Sequence, residues 1–234
     1  MHLADIIIYI FLLLAATLSF TTRKLTLTGA ITGAVVGLLI YKGAGYTGIA
    51  MLALFFIAGS WATGWQLHKK IALGTAEQHK GGRTAGQVLA NGSTAALLGA
   101  FAWYFPQHHM LAAIMIAGSF AAATADTLSS ELGTVYGRMF YNILDLKKDQ
   151  RGLDGVVSLE GTLIGLVGAA LIATVYTLSF GWSLSFCWIV LAGFTGNLVD
   201  SVLGALLERK GLIGNNMVNF LNTAAGAIVC WLVS

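Results

Sequence analysis

The sequence predicts an all-α, polytopic integral membrane protein of about eight transmembrane helices, a single transmembrane domain over residues 1–234. Three observations lead there. Only 10% of the residues are charged, where a soluble globular domain carries about 25%. Hydrophobic residues make up 57%, and the mean hydropathy of +0.79 shows that Ser, Asn and Gln have not replaced the missing charge. Apolar runs long enough to cross a hydrocarbon core of about 30 Å, at about 1.5 Å per helical residue, recur along the whole chain. A water-soluble monomer and a disordered chain are thereby excluded. One proline against 29 glycines suits close-packed membrane helices better than a turn-rich β protein.

The eight segments are approximately 3–20, 25–41, 46–66, 87–105, 110–132, 158–180, 183–207 and 216–233. The first begins with His2 and Asp5 and is followed by Arg23 and Lys24, the reverse charge order of a signal peptide, so it reads as a retained helix. The second is the shortest and could be a half-buried helix rather than an independent span. Its Gly29, Gly33 and Gly37 form a small-residue ridge for close helix contact. The other six are longer.

Lys and Arg order the connections. Those after odd-numbered segments hold Arg23 and Lys24; Lys69, Lys70, Lys80 and Arg83; Arg138, Lys147, Lys148 and Arg151; and Arg209 and Lys210, which is 12 of the 13 basic residues. Only Lys42 falls elsewhere. Cytoplasmic loops are enriched in both residue types, so this end is expected to face the cytoplasm of a cell inner membrane, with both termini outside. The net charge of +3 is scattered in short clusters, with no basic, aromatic-rich stripe to bind nucleic acid. Cys187 and Cys230 lie in apolar runs as packing residues, with no disulfide or zinc spacing.

Ionisable groups at membrane depth cost about 2.5–3.5 kcal/mol each, and are functional hypotheses by default. Asp126 and Glu131 sit near the end of segment five, Asp200 and Glu208 near the end of segment seven. Asn91 and Glu160 lie near the starts of segments four and six, and Asn216, Asn219 and Asn222 near the start of segment eight. All fall at the expected cytoplasmic face. Asp126, Ser129, Ser130 and Gly133 share one helix face, and Asn197, Asp200, Ser201 and Gly204 repeat those offsets. Asn215, Asn219, Asn222 and Gly226 form a third stripe. Three polar faces at one depth imply a shared cavity. A weak internal helix-hairpin repeat, Gly86-Val88-Asn91-Gly92-Ser93 against Gly155-Val157-Glu160-Gly161-Thr162, would set Asp126 and Asp200 face to face.

Carboxylates with Ser and Asn oxygens are hard ligands suited to Mg²⁺, which binds through one or two carboxylates plus substrate phosphates. No His or Cys constellation competes. Asp126 and Asp200 are the expected metal pair, with Glu160 a third candidate that requires a non-helical start to segment six. Lys80 and Arg83, before a glycine-rich helix start, supply phosphate-binding charge. Phosphoryl transfer needs this inventory of metal and basic clamps more than a protein nucleophile.

At these residues the chain resembles an integral-membrane family once catalogued as domain of unknown function number ninety-two, whose best-understood members are the phytyl-phosphate kinases of tocopherol synthesis. The matching segments are Gly82-Arg83 with Gln87-Val88-Leu89-Ala90-Asn91-Gly92; Ala125-Asp126-Thr127 with Ser130-Glu131-Leu132-Gly133; Gly152 and Gly155 with Val157-Ser158-Leu159-Glu160-Gly161-Thr162; Asp200-Ser201 with Leu203-Gly204-Ala205; and Asn215-Asn216 with Val218-Asn219-Phe220. The resemblance implies a Mg²⁺-dependent kinase that converts an isoprenoid monophosphate to the diphosphate with a nucleoside triphosphate, CTP being favoured. Asp126, Asp200, Arg83 and Glu160 would be catalytic. Lys80, Asn91, Ser130, Glu131, Ser158, Asn197, Ser201, Asn216, Asn219 and Asn222 would position nucleotide and lipid. A cytidylyltransferase acting on a lipid phosphate is the nearest alternative, and a small-solute transporter the alternative outside enzymes. The membrane lipid itself is a partner, and a homo-oligomer is compatible with this reading.

Overall fold

The computed structural model describes residues 3–75 and 82–234. Its helices are α1 (Leu3–Thr21), α2 (Leu27–Gly64), α3 (Leu67–Ala72), α4 (Ala85–Tyr104), α5 (His109–Tyr136), α6 (Leu159–Phe180), α7 (Ser185–Leu203) and α8 (Asn215–Leu232). The protein is an all-helical integral membrane bundle. Among the described residues, four helical segments qualify on their own as membrane spans by length and apolar composition: Leu27–Gly64, Pro106–Tyr136, Leu159–Phe180 and Ser185–Glu208.

The sequence reading separates 25–41 from 46–66 by a loop; the structure has no such loop. Helix α2 runs through both and reverses at one residue, Gly45, whose φ of 58° and ψ of −147° lie outside the helical region and suit only glycine. In a straight helix Gly37 and Leu52 would be about 22 Å apart. Here a Cβ on Gly37 would lie 3.4 Å from the Leu52 side chain, so the arms 27–44 and 46–64 fold back as a hairpin. Gly29 and Gly59, one on each arm, both abut Arg83.

Two further departures lie at the same end of the bundle. Between α5 and α6, Tyr141–Asn142 (β1) and Val156–Val157 (β2) pair antiparallel within a folded loop. Beyond α7 the chain widens into a π-helical turn over Gly204–Glu208 instead of continuing as an α-helix to residue 207.

Helix α5 is the axis, packed against α2, α4, α6, α7 and α8. Lipid offers no hydrophobic drive between helices, so association rests on close van der Waals contact. The run Ala121–Ala125 on α5 is buried, and glycines on the neighbours meet it: Gly193 against Ala121, Gly165 against the Ala125 carbonyl, Gly226 against Ala122. Gly43 and Gly99 bring α2 and α4 together in the same way.

Threonine and serine start the helices at the loop-rich end. Thr26 accepts the Gly29 N–H to cap α2, Thr84 and Gln87 form a capping box on α4, and Ser158 accepts the Gly161 N–H to cap α6. Helix α8 begins at this end too. At the opposite end Lys42 meets Asp5 at 3.4 Å and lies within 6 Å of the Tyr9, Tyr41 and Trp103 ring centres. The described Lys and Arg residues other than Lys42 sit in segments at the loop-rich end, the polarity that the composition of the connections foretells.

Candidate functional site

A polar basin of about 280 Å³ opens where the second half of α5, the end of α7 and the starts of α4, α6 and α8 converge beneath the 137–158 loop. Asp126 on α5 and Asp200 on α7 meet there in hydrogen-bonding contact. Two ionised carboxylates cannot share that contact without repulsion, so a proton or a cation must lie between them. Asn222, fully buried on α8, donates from Nδ2 to Asp200 Oδ1 at 3.5 Å. Its own Oδ1 has no partner among the described residues. Asp200 is thus braced from α8, and both acids line the basin.

Arg83 enters from the opposite wall. Its backbone is pinned to the α1–α2 connection, donating to the Lys24 carbonyl at 2.9 Å and accepting from the Thr26 N–H at 3.0 Å. Its guanidinium reaches Thr63 Oγ1 at 3.4 Å. Gly59 makes room for it, since a Cβ there would lie 3.3 Å from Nη2. The N-termini of α4, α6 and α8 open on the basin, and their dipoles add to the positive field there.

The sequence-predicted residues divide clearly. Asp126, Asp200, Arg83, Asn91, Ser130, Glu131, Ser158, Asn197, Ser201 and Asn219 all line the basin. Several are partly committed. Ser158 caps α6, and the Ser130 and Ser201 hydroxyls donate to carbonyls one helical turn back, Thr127 and Asn197. Glu131 is held by Lys70 at 2.5 Å, and Lys70, buried on α3, also donates to the Ala62 and Thr63 carbonyls at the end of α2. Asn222 lies beneath the basin rather than on its wall, and Asn216 stands against Gly86 of α4, outside the lining. Lys80 falls outside the described residues.

Glu160 does not join the acid pair. The helix is regular from Leu159, so with Ser158 as cap the Glu160 side chain turns to the outer face. It accepts there from the Arg138 backbone N–H at 3.4 Å and faces the Arg138 guanidinium at 4.0 Å. The non-helical start that Glu160 needed is absent.

Ser129 and Asn215, set by their spacing on the polar faces, also line the basin, while sequence reading missed Asp154 and Thr127 there. Asp154 comes from the loop and acts electrostatically on Asp200; burial pushes its carboxyl above the usual range while Arg209 draws it down. Its position follows from Gly155, whose φ of 74° and approach to Ala205 leave no room for a side chain. Asp149 ties the loop down by accepting from Arg209 Nη1 at 2.7 Å, which holds its carboxyl at about 2. The only advance signal was the spacing of Gly152 and Gly155 before segment six.

Fold and basin together define an integral membrane helical protein with a half-buried acidic pair, backed by amides, open at one membrane face. Residues 10–227 match the family described as integral membrane protein DUF92, and the chain belongs to it. It is 34% identical to the uncharacterized membrane protein MJ0933 of Methanocaldococcus jannaschii over 91% of this chain and 87% of that one. It is 33% identical to the uncharacterized membrane protein sll0875 of Synechocystis over 83% and 77%. Identity to the chloroplastic protein VTE6 of Arabidopsis thaliana is 32%, over 89% of this chain and 65% of that protein. No solved structure matches the chain significantly.

Proposed function

We propose that this protein is a membrane isoprenoid-monophosphate kinase that transfers the γ-phosphoryl group of a nucleoside triphosphate, CTP favoured, to a phytyl or polyprenyl monophosphate. The observation that carries the proposal is the facing pair Asp126 and Asp200 in a basin that also holds Arg83 and receives the N-termini of α4, α6 and α8. Such a site suits two polyphosphorylated reactants. The motif resemblance to phytyl-phosphate kinases supports the same reading.

A hard divalent cation fits the donors present: two carboxylates in contact, no His or Cys among the described residues that line the basin, and space for phosphate oxygens to complete the shell. Asp126 and Asp200 would hold Mg²⁺, which when bound neutralises charge developing on the phosphates. Arg83 clamps the acceptor phosphate. Asn197 and Asn219 orient the phosphates, and Asn222 keeps Asp200 aimed. An oxygen of the acceptor phosphate dianion bonds to the γ-phosphorus while the bond from that phosphorus to the β–γ bridging oxygen breaks. The products are the isoprenyl diphosphate and the nucleoside diphosphate; charge balances, no proton moves, and no general base is required. In this reading the basin faces the cytoplasm of an inner membrane and both termini face outward.

The test incubates purified protein in detergent with geranylgeranyl or phytyl monophosphate, Mg²⁺ and each labelled nucleotide in turn. An isoprenyl diphosphate carrying the terminal phosphate is the expected product. A CDP-lipid would replace the kinase assignment with nucleotidyl transfer, and no product with any nucleotide would refute both.

A further inference from the structure

A second cavity, of about 410 Å³, lies between α1, the two arms of α2 and the first turns of α4. Its walls are apolar: Leu12, Ala15, Gly33, Val36, Leu52 and Phe56. Arg83, Gln87 and Asn91 close one end, and these three also line the polar basin. Two cavities of opposite chemistry therefore share a wall, and that wall carries a guanidinium. At the junction, Asn91 donates from Nδ2 to the Gln87 carbonyl at 3.2 Å, while its buried Oδ1 has no partner among the described residues.

The groove opens sideways. Helix α1 packs chiefly on α2, and the rim residues Leu14, Leu18 and Ile57 are exposed. Along α1 it extends from Ser19 to Phe11, about 12 Å at the helical rise, which is less than half of a hydrocarbon core of about 30 Å.

The geometry points to one occupant: the head-proximal isoprene units of the acceptor lipid, with the acceptor phosphate at Arg83. This rests on the kinase reading and adds to it the acceptor's position, its entry from the bilayer, and the limit of chain-length recognition. An anionic head on an apolar tail matches a groove that is apolar throughout and cationic at one end. The Asn91 Oδ1 at the junction accepts from a water that bridges it to the acceptor phosphate. The nucleotide then occupies the side of the basin bounded by Asp154 and Asn215, so the two phosphate chains meet at Asp126 and Asp200 from opposite directions. Only the first units of a long chain touch protein and the remainder lies in the bilayer, so preference saturates with chain length.

Gly33 gives the test its handle. A Cβ there meets only the Leu25 Cδ1 at 3.7 Å, so a larger side chain grows into the groove rather than into backbone. Gly33→Phe and Ala15→Trp are assayed in phosphatidylcholine nanodiscs, with thermal melting to confirm folding. Expected is a rise in KM for geranylgeranyl monophosphate of about tenfold, the equivalent of roughly two methylene groups of lost burial. The KM for nucleotide and the kcat/KM for dimethylallyl monophosphate stay at the wild-type values. Unchanged KM for geranylgeranyl monophosphate in both folded variants, or equal losses for both acceptors, would overturn the groove assignment.

A geranylgeranyl monophosphate bearing a diazirine near its head separates the two proposals, because labelling needs no turnover. Labelling of residues 11–19, suppressed by Gly33→Phe, supports the groove whatever the activity. Labelling elsewhere, or persistent occupancy by phosphatidylcholine that geranylgeranyl monophosphate does not displace, refutes it. Failure of the wild type to phosphorylate any isoprenoid monophosphate refutes the kinase reading alone.

Discussion

Replacing Asp200 with Asn separates a chemical role for the acid pair from a structural one. Asp200 touches Asp126 and receives a hydrogen bond from Asn222 at 3.5 Å, so the neutral, near-isosteric amide keeps the shape and loses the charge. Two like charges about 4 Å apart repel by about 4 kcal/mol at an effective dielectric of 20, and a proton or cation between them already offsets most of this. Folding stability of Asp200→Asn is therefore expected to match or slightly exceed wild type, by up to about 1 kcal/mol. Catalysis moves the other way. Removing one preorganised group that stabilises transition-state charge typically costs 10²- to 10³-fold in kcat, or about 2.7–4 kcal/mol. The assay is isoprenyl diphosphate formation from a labelled nucleotide at saturating Mg²⁺, paired with thermal unfolding in the same detergent. Activity within threefold of wild type, or a loss accompanied by a lowered Tm, would refute a chemical role for the pair.

Lys70→Met leaves the buried Glu131 carboxylate without its cation and the end of α2 without its cap, for a loss of about 3–5 kcal/mol by thermal or denaturant unfolding. The double variant Lys70→Met/Glu131→Leu is expected to recover most of it. Gly43→Val places a side chain into the backbone of Gly99 and should lower stability by about 1–3 kcal/mol, read as a lower Tm with nucleotide KM unchanged for the folded fraction. Arg209 holds Asp149 at about 2, below its ordinary 3.8, so the contact stabilises the folded loop above about pH 4 and is lost as pH falls toward 2. Carbon NMR of Asp149 should show its titration moving up toward 3.8 in Arg209→Gln, with the 137–158 loop becoming more susceptible to protease. Glu160→Gln touches only the Arg138 side of α6 and should leave kcat within about threefold of wild type, whereas a basin residue would not.

The basin residues were legible because membrane depth makes polar side chains conspicuous and helical spacing sorts them onto faces. Asp126 and Asp200 lie on matching stripes, so spacing alone pairs them. Glu160 lies in the same short stretch as Ser158 but, two residues later and about 200° further round the helix, turns to the other side. Lys70 was read only as a loop charge; its burial depends on α3 folding back against α5, a contact between residues 61 positions apart that leaves no local pattern. Asp154 escaped notice because a loop has no periodicity to assign a direction.

Composition alone determined the solvent, since so few charges cannot coat a protein in water, and the alternation of Lys and Arg along the chain determined which connections share one end. Local spacing determined which polar residues share a helix face. Tertiary structure decided what those faces meet. The reversal at Gly45 rests on one backbone conformation that many glycines could adopt, and no pattern marks which one does. The junction at Arg83 between basin and groove exists only because α1, α2 and α4 close around it. Contacts between distant segments are set by packing and not by sequence periodicity, so the depth of the site could be read from the chain while its partners and its apolar neighbour required the fold.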